Sequence, residues 1–203
     1  MSSTKTPILP GNFYHIYNHA NGDRNLFTCD DNYLYFLKRF KKYMTPYYEL
    51  YAYCLMPNHY HMLVRVKDFQ TEVGGKLIKD ENEYIKKTTN ALKKWLVSYS
   101  NSYNKVYNLR GNLFIQRTRR RLIKDDEDLR NMIVYIHMNP VHHNFVFNID
   151  DWKFTSYHEY FTDKNNLVDK SYSLDSFGDL ENFKFVHNDK NLILLSEMYD
   201  LDF

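Results

Sequence analysis

Two spacings of apolar residues alternate along the chain, and the switches between them mark its elements. Residues 12–19, Asn-Phe-Tyr-His-Ile-Tyr-Asn-His, run with period two and are rich in aromatics, which predicts a strand. Asn21-Gly22-Asp23 is turn chemistry. Asp30-Asp31 then opens a helix to about Met44, with Tyr33, Phe36, Leu37 and Phe40 at helical spacing and Thr45-Pro46 as its stop. Two β-rich runs, 48–56 and 59–67, are split by Pro57-Asn58, which predicts a hairpin. Thr71 to Asp80 reads as a loop around Gly74-Gly75, and about Glu81 to Tyr103 as a long helix. Asn108 to Gly111 is a turn, Leu113 to Ile123 a strand, and Asp125 to Met138 a helix that Pro140 should end at Asn139. A short helix is expected over 150–161, around Trp152 and Tyr157.

The order β-α-β-β-α-β-α predicts an α+β fold: a ferredoxin-like (RRM-like) antiparallel sheet with helices on one face, plus an extra C-terminal helix and tail. The organisation expected is a catalytic domain over 1–161 and an acidic C-terminal extension over 162–203. The chain is long enough to bury a real core, and 19 Tyr with 14 Phe argue against disorder. No apolar run approaches the roughly 20 residues that a spanning helix needs. The N-terminus has no apolar stretch after its charge, so no secretory signal is expected. Cys29 and Cys54 make no disulfide framework, and a reducing cytoplasm is the expectation.

Charge adds a partner to this picture. From Ile85 to Lys124 there are eleven Lys or Arg and no acid, whereas Phe147 to Phe203 carries twelve acids against five bases. Forty residues without an acid point to a polyanion. The candidates to meet phosphates are Lys93 and Lys94 on the long helix, then Arg117, Arg119, Arg120, Arg121 and Lys124 on or just after the last strand. On a strand, Arg117, Arg119 and Arg121 share one face.

Two segments carry candidate chemistry. In Met-Pro-Asn-His-Tyr-His-Met-Leu-Val at 56–64, His59 and His61 lie two apart on a strand and project together, while Tyr60 faces the layer behind. Neutral imidazoles so placed are candidate metal ligands; a hydrogen-bonded surface pair is the plainer reading. In Tyr-Ile-His-Met-Asn-Pro-Val at 135–141, Tyr135 and Asn139 are one helical turn apart, flanking the stripe of Leu129, Met132, Ile133 and Ile136. Taken alone, Tyr135, one of 19 tyrosines, reads more readily as a half-buried helix tyrosine, and Asn139 is well suited to a C-terminal cap.

Together the two segments resemble the REP-associated tyrosine transposases of the HUH single-strand transposase superfamily. The first resembles the His-hydrophobe-His motif and the second the tyrosine helix; Gly111-Asn112-Leu113-Phe114 with Arg117, and Trp152 with Ser156-Tyr157, are similar too. The resemblance covers roughly residues 11–160. It implies that His59 and His61 bind metal, that Asn139 is the third ligand and that Tyr135 is the nucleophile. It also implies Mg²⁺ or Mn²⁺ as cofactor and hairpin-forming single-stranded DNA as partner, cleaved and rejoined through a covalent 5′-phosphotyrosine. The short link from Ile123 to Tyr135 favours a monomer with both halves in cis. Departures fall at Asn18 to Gly22, Ile115-Gln116 and His142-His143-Asn144, in expected DNA-contact regions. A domesticated binder of structured nucleic acid that does not cut is the alternative. A replication-initiator nickase fits less well, since no helicase segment is present.

Overall fold

A computed structural model gives the fold over residues 6–69, 72–162 and 167–188. In chain order the elements are β1 (Phe13–His19), α1 (Asp30–Tyr43), β2 (Tyr48–Met56), β3 (His59–Val66), β4 (Glu72–Val73), β5 (Lys76–Leu77), α2 (Glu81–Val106), β6 (Arg119–Leu122) and α3 (Asp126–His142). Then come two 3-10 turns, Ile149–Asp151 and Ser156–Phe161, and the helices α4 (Ser171–Phe177) and α5 (Leu180–Asn188). The main sheet is antiparallel in the order β2-β3-β1-β6, the expected α+β, ferredoxin-like arrangement with the first and third strands central.

One face of the sheet packs on α1 and α2. Asp30 and Asp31 sit in the first turn of α1 and Lys41 and Lys42 in its last, as the helix dipole favours. Asp80 caps α2 by accepting from the Glu83 backbone N–H at 2.6 Å. Tyr33, Phe36 and Phe40 face inward from α1; Phe36 and Phe40 meet Trp95 of α2, whose ring lies 4.6 Å from that of Phe36 and 5.4 Å from that of Tyr60 on β3. Phe36 is wholly buried and its ring also contacts Phe27 and Tyr99. Phe36→Ala should therefore cost about 3–5 kcal/mol, measured as a lowered urea midpoint with an unchanged slope.

Helices cover both faces, where one was expected. The added helix α3 lies across the opposite face, against β2 and β3. Arg121 of β6 pins its start through a 2.7 Å ion pair with Asp128, whose other oxygen accepts from the Lys124 backbone N–H. The helix also runs on through Pro140 to His142 rather than stopping at Asn139. Proline forfeits the bond its own N–H would make and crowds the carbonyl of Ile136 one turn back. Burial from Tyr135 to Pro140 offsets that loss, and His143 still closes the last turn on the Asn139 carbonyl at 3.0 Å.

Three further elements differ from the pattern. The Gly74-Gly75 loop is a small hairpin, because both glycines supply the positive φ its turn needs. The last strand is short. Phe114 touches β1 only at an isolated bridge to Ala20, and Arg117 adopts φ 105°, which takes the chain off the sheet until Arg119. Arg117 thus does not share a strand face with Arg119 and Arg121. Finally, 150–161 forms two 3-10 turns, one of them seated on β2 by the Cys54–Thr155 bridge.

Within the acidic extension, Phe183 of α5 is fully buried and stacks on Tyr160 with ring centroids 4.4 Å apart. The acids and the apolar run at 189–203 lie outside the described residues.

Candidate functional site

β1 and β3 are neighbours in the sheet, with Tyr17 opposite His61 and His19 opposite His59. Residues opposite one another share a face, so period two builds a patch of rings from His15, Tyr17, His19, His59 and His61. The His59 and His61 rings stand 5.2 Å apart at 83°. α3 crosses this patch. It brings the Tyr135 ring 5.5 Å from that of His61, edge to face at 89°. Two segments that lie more than seventy residues apart in the chain therefore meet in one place.

Asn139 follows one turn later. Its Nδ2 donates to the Tyr135 carbonyl at 2.9 Å, and the side chain lies against His59, where it favours the protonated imidazole. Burial outweighs that help and lowers the His59 pKa to about 3, with the His143 and His19 rings acting in the same direction. His61 is also driven well below the ordinary imidazole range, first by burial and then by His15, His59 and His143. Both rings are consequently neutral near pH 7, the form that binds metal.

A hydrogen bond selects which His59 nitrogen would do so. His59 Nδ1 lies 2.7 Å from Asn58 Oδ1, which can only accept, so the proton is on Nδ1 and the lone pair on Nε2. His61 Nδ1 lies 2.9 Å from His15 Nε2, a bond in which either ring can donate; His61 takes the same tautomer when it is the donor. Orienting partners of this kind are what metal-binding histidines ordinarily have. Among the described residues no three His, Cys, Asp or Glu side chains are arranged to hold one ion. A cation here would need the Asn139 carboxamide oxygen as its third ligand. Two imidazole nitrogens and a neutral oxygen form a donor set that fits Mn²⁺, and Mg²⁺ less tightly.

The four side chains are almost wholly covered. His59 is 3% exposed, Tyr135 1%, and His61 and Asn139 0%. Part of the cover comes from α3 and its end: the His143 ring lies 5.0 Å from that of His59, and the His142 ring 6.2 Å from that of Tyr135. Sequence reasoning did not assign His15, His19, His142 or His143 to the site. The available signal was in β1, where His15 and His19 hold alternate positions with Tyr17 between them.

The cationic residues divide over both faces of the sheet. Lys93 and Lys94 are exposed on α2, and Arg117 is exposed on the turn before β6. Arg119 lies opposite Tyr17 and Arg121 opposite His15, on the face that carries α3. Arg120 lies opposite Ile16 on the other face, and its guanidinium donates to the Thr6 carbonyl. Arg121 is held by Asp128, and Lys124 is exposed beside it. Lys93, Arg117 and Arg120 line an open groove of about 770 Å³ between α2 and residues 111–118. Its other polar walls are carboxamides and hydroxyls, Asn101, Asn112 and Gln116 among them, with no acid.

No family model matches the chain. Over 111 residues, 55% of its length, it is 26% identical to the "Putative REP-associated tyrosine transposase" of Haemophilus influenzae. The matched part is 60% of that relative, so the chain spans about three fifths of the relative's length. A solved structure, that of a REP-associated tyrosine transposase bound to a REP hairpin, superposes with a TM-score of 0.52. That match covers 79% of this chain and 86% of the other at 20% identity. The chain resembles the REP-associated tyrosine transposases. The resemblance read from its motifs is thus shared by a relative in sequence and a neighbour in fold. At these identities the likeness to REP-associated tyrosine transposases carries the architecture. The roles of individual side chains here rest on the geometry above. Among the described residues no helix is long and apolar enough to cross a membrane.

Proposed function

We propose that this chain is a metal-dependent tyrosine transposase, a single-strand DNA endonuclease and strand transferase acting on hairpin-forming DNA. The observation that carries the reading is the meeting of Tyr135 with His61, inside a patch where His59 and Asn139 supply two more candidate ligands. His59, His61 and Asn139 would hold Mg²⁺ or Mn²⁺. When bound, that ion would polarise a phosphate oxygen and offset the charge that develops in the transition state.

The rest falls to the chain's own groups. Lys93, Lys94, Arg117, Arg119 and Arg120 would engage the DNA backbone, and the acid-free groove suits a phosphodiester chain. Arg121 and Lys124 would extend this contact toward α3. Tyr135 Oη attacks phosphorus in line; the Oη–P bond forms as the P–O3′ bond breaks. The phenolic proton passes to solvent and the departing 3′-oxygen takes one up. The product is a 5′-phosphotyrosine and a free 3′-OH. Because the phosphodiester energy is conserved in the covalent link, another 3′-OH can reverse the step without ATP. With His59, His61, Tyr135 and Asn139 together in one chain, the enzyme would act as a monomer, and DNA as its substrate would place it in the cytoplasm, at the nucleoid.

The alternative is a binder of structured DNA that no longer cuts. The coverage of Tyr135 and Asn139 favours it, since a phosphate reaches the hydroxyl only after part of that cover moves. One incubation separates the two readings. Hairpin DNA with single-stranded flanks is mixed with the protein and Mn²⁺, then denatured and analysed for a protein–DNA adduct mapping to Tyr135. The enzyme gives an adduct that EDTA prevents. Tight hairpin binding with no adduct at any metal concentration supports the binder.

A further inference from the structure

On the side of α3 turned away from His61 lies a chain of hydrogen bonds that the proposed chemistry does not use. It starts in α5, where His187 Nδ1 is 2.7 Å from the Phe183 carbonyl. A carbonyl only accepts, so His187 carries its proton on Nδ1 and offers Nε2 as an acceptor. That nitrogen is 2.9 Å from His137 Nδ1, which therefore donates, leaving His137 Nε2 to accept. Its partner is Ser156 Oγ at 2.8 Å, and the hydroxyl donates. Ser156 Oγ in turn accepts the Tyr53 backbone N–H of β2 at 2.8 Å. With both rings neutral, each imidazole N–H has one acceptor, and the Ser156 hydroxyl lies closer to His137 Nε2, at 2.8 Å, than to the Tyr53 carbonyl, at 3.3 Å. Both rings are almost wholly buried, which favours the neutral form, and burial lowers the His187 pKa to about 4.

The placement of this chain matters more than its length. His137 lies two residues from Tyr135 and two from Asn139. Ser156 is tied to β2 at Tyr53, and the next residue, Cys54, pairs with His61. The His137–Ser156 link in the middle of the relay thus ties the helix that carries Tyr135 to β2, the neighbour of the strand that carries His59 and His61. Apolar contacts such as Phe183 on Tyr160 can dock α5, but they tolerate sliding. Directed hydrogen bonds from a buried imidazole do not, because a shift leaves donors without acceptors.

We propose that His187 is a positioning residue for the transposase reaction: acting through His137, it fixes α3 in the register that sets Tyr135 against His61. The segment carrying α4 and α5 is then part of the device that aims the nucleophile. This rests on the transposase reading, and its test separates the two.

His187→Phe keeps a ring and its volume but leaves the His137 N–H without an acceptor. His187→Gln puts an amide oxygen where Nε2 stood. With hairpin DNA and Mn²⁺, His187→Phe should slow adduct formation by about tenfold to a hundredfold with KM unchanged, the scale expected for a small misplacement. It should also speed amide hydrogen exchange along residues 132–142. His187→Gln should recover most of the rate and the protection. If His187→Phe fails to fold, Ser156→Ala breaks the relay at its sheet end and must give the same split. The proposal is overturned if Phe and Gln behave alike, if KM rises while kcat holds, or if stability drops with the rate intact. A wild-type protein that never forms an adduct removes the transposase reading and, with it, the reaction His187 would serve. Exchange along α3 then still decides whether His187 sets the helix register, and unchanged exchange overturns that as well.

Discussion

Tyr135→Phe is expected to abolish the covalent adduct with hairpin DNA while leaving hairpin affinity unchanged. The phenylalanine keeps the ring that packs edge to face on His61 and removes only the oxygen that forms the new bond. Removing a nucleophile outright costs about 10⁴-fold or more in a covalent mechanism. Removing one buried hydroxyl costs only about 1 kcal/mol of stability. The variant should therefore fold, bind and retain metal affinity, and fail only in the gel assay for the adduct. An adduct that persists in Tyr135→Phe would move the nucleophile to another of the 19 tyrosines. Loss of binding together with the adduct would mean that the hydroxyl holds the fold or the DNA rather than attacking it.

Acid is expected to unfold the protein unusually early, near pH 5. Five imidazoles, His15, His59, His61, His137 and His187, are almost wholly buried. Burial lowers the pKa of His15 to about 3, with the Arg121 charge adding to it, that of His59 to about 3 and that of His187 to about 4. His61 and His137 are driven down as well, again chiefly by burial. In the unfolded chain each titrates near about 6.5. The folded state thus stays neutral while the unfolded state takes up protons. The stability these rings contribute is complete above about pH 6.5 and falls as pH drops toward their folded values. Each proton is worth about 1.4 kcal/mol per pH unit, so five together give a slope near 7 kcal/mol per unit. A domain with about 5–15 kcal/mol in hand would lose its fold within one to two units below pH 6.5. Circular dichroism against pH should show a steep, cooperative loss that takes up several protons at once. A shallow transition centred below about pH 4 would contradict the depressed values.

Much of this architecture can be read from spacing. The alternation in β1, β2 and β3 holds because each strand is buried on both faces, and period two then assigns every side chain. That is why Tyr60 and His61 point to opposite faces, as the spacing predicts; their partners there, Trp95 and Tyr135, come from the tertiary fold. The errors fall where a tertiary contact overrides a local signal. Pro140 is a stop signal, but buried neighbours on both sides of it keep the helix going to His142. Leu113 to Ile123 carries strand-forming residues throughout, yet the Asn18 carboxamide bonds to Ile115 and Thr118 across a gap where the chain leaves the sheet. The wider histidine patch was out of reach for a different reason. His15 and His19 gain meaning only when β1 is known to lie next to β3, and no spacing within either segment encodes that. The division of the arginines follows from register in the same way, since one step along β6 exchanges the face of Arg120 for that of Arg121.

The coverage of Tyr135 has a consequence for the cell that makes the protein. Under the proposed activity, an oxygen held away from solvent would be idle toward the vast excess of ordinary chromosome around it. Scission would begin only when a ligand contributes enough interaction energy to displace the side chains that cover the phenol. Selectivity would then be exercised before any bond is broken, as a toll on opening that random DNA does not meet.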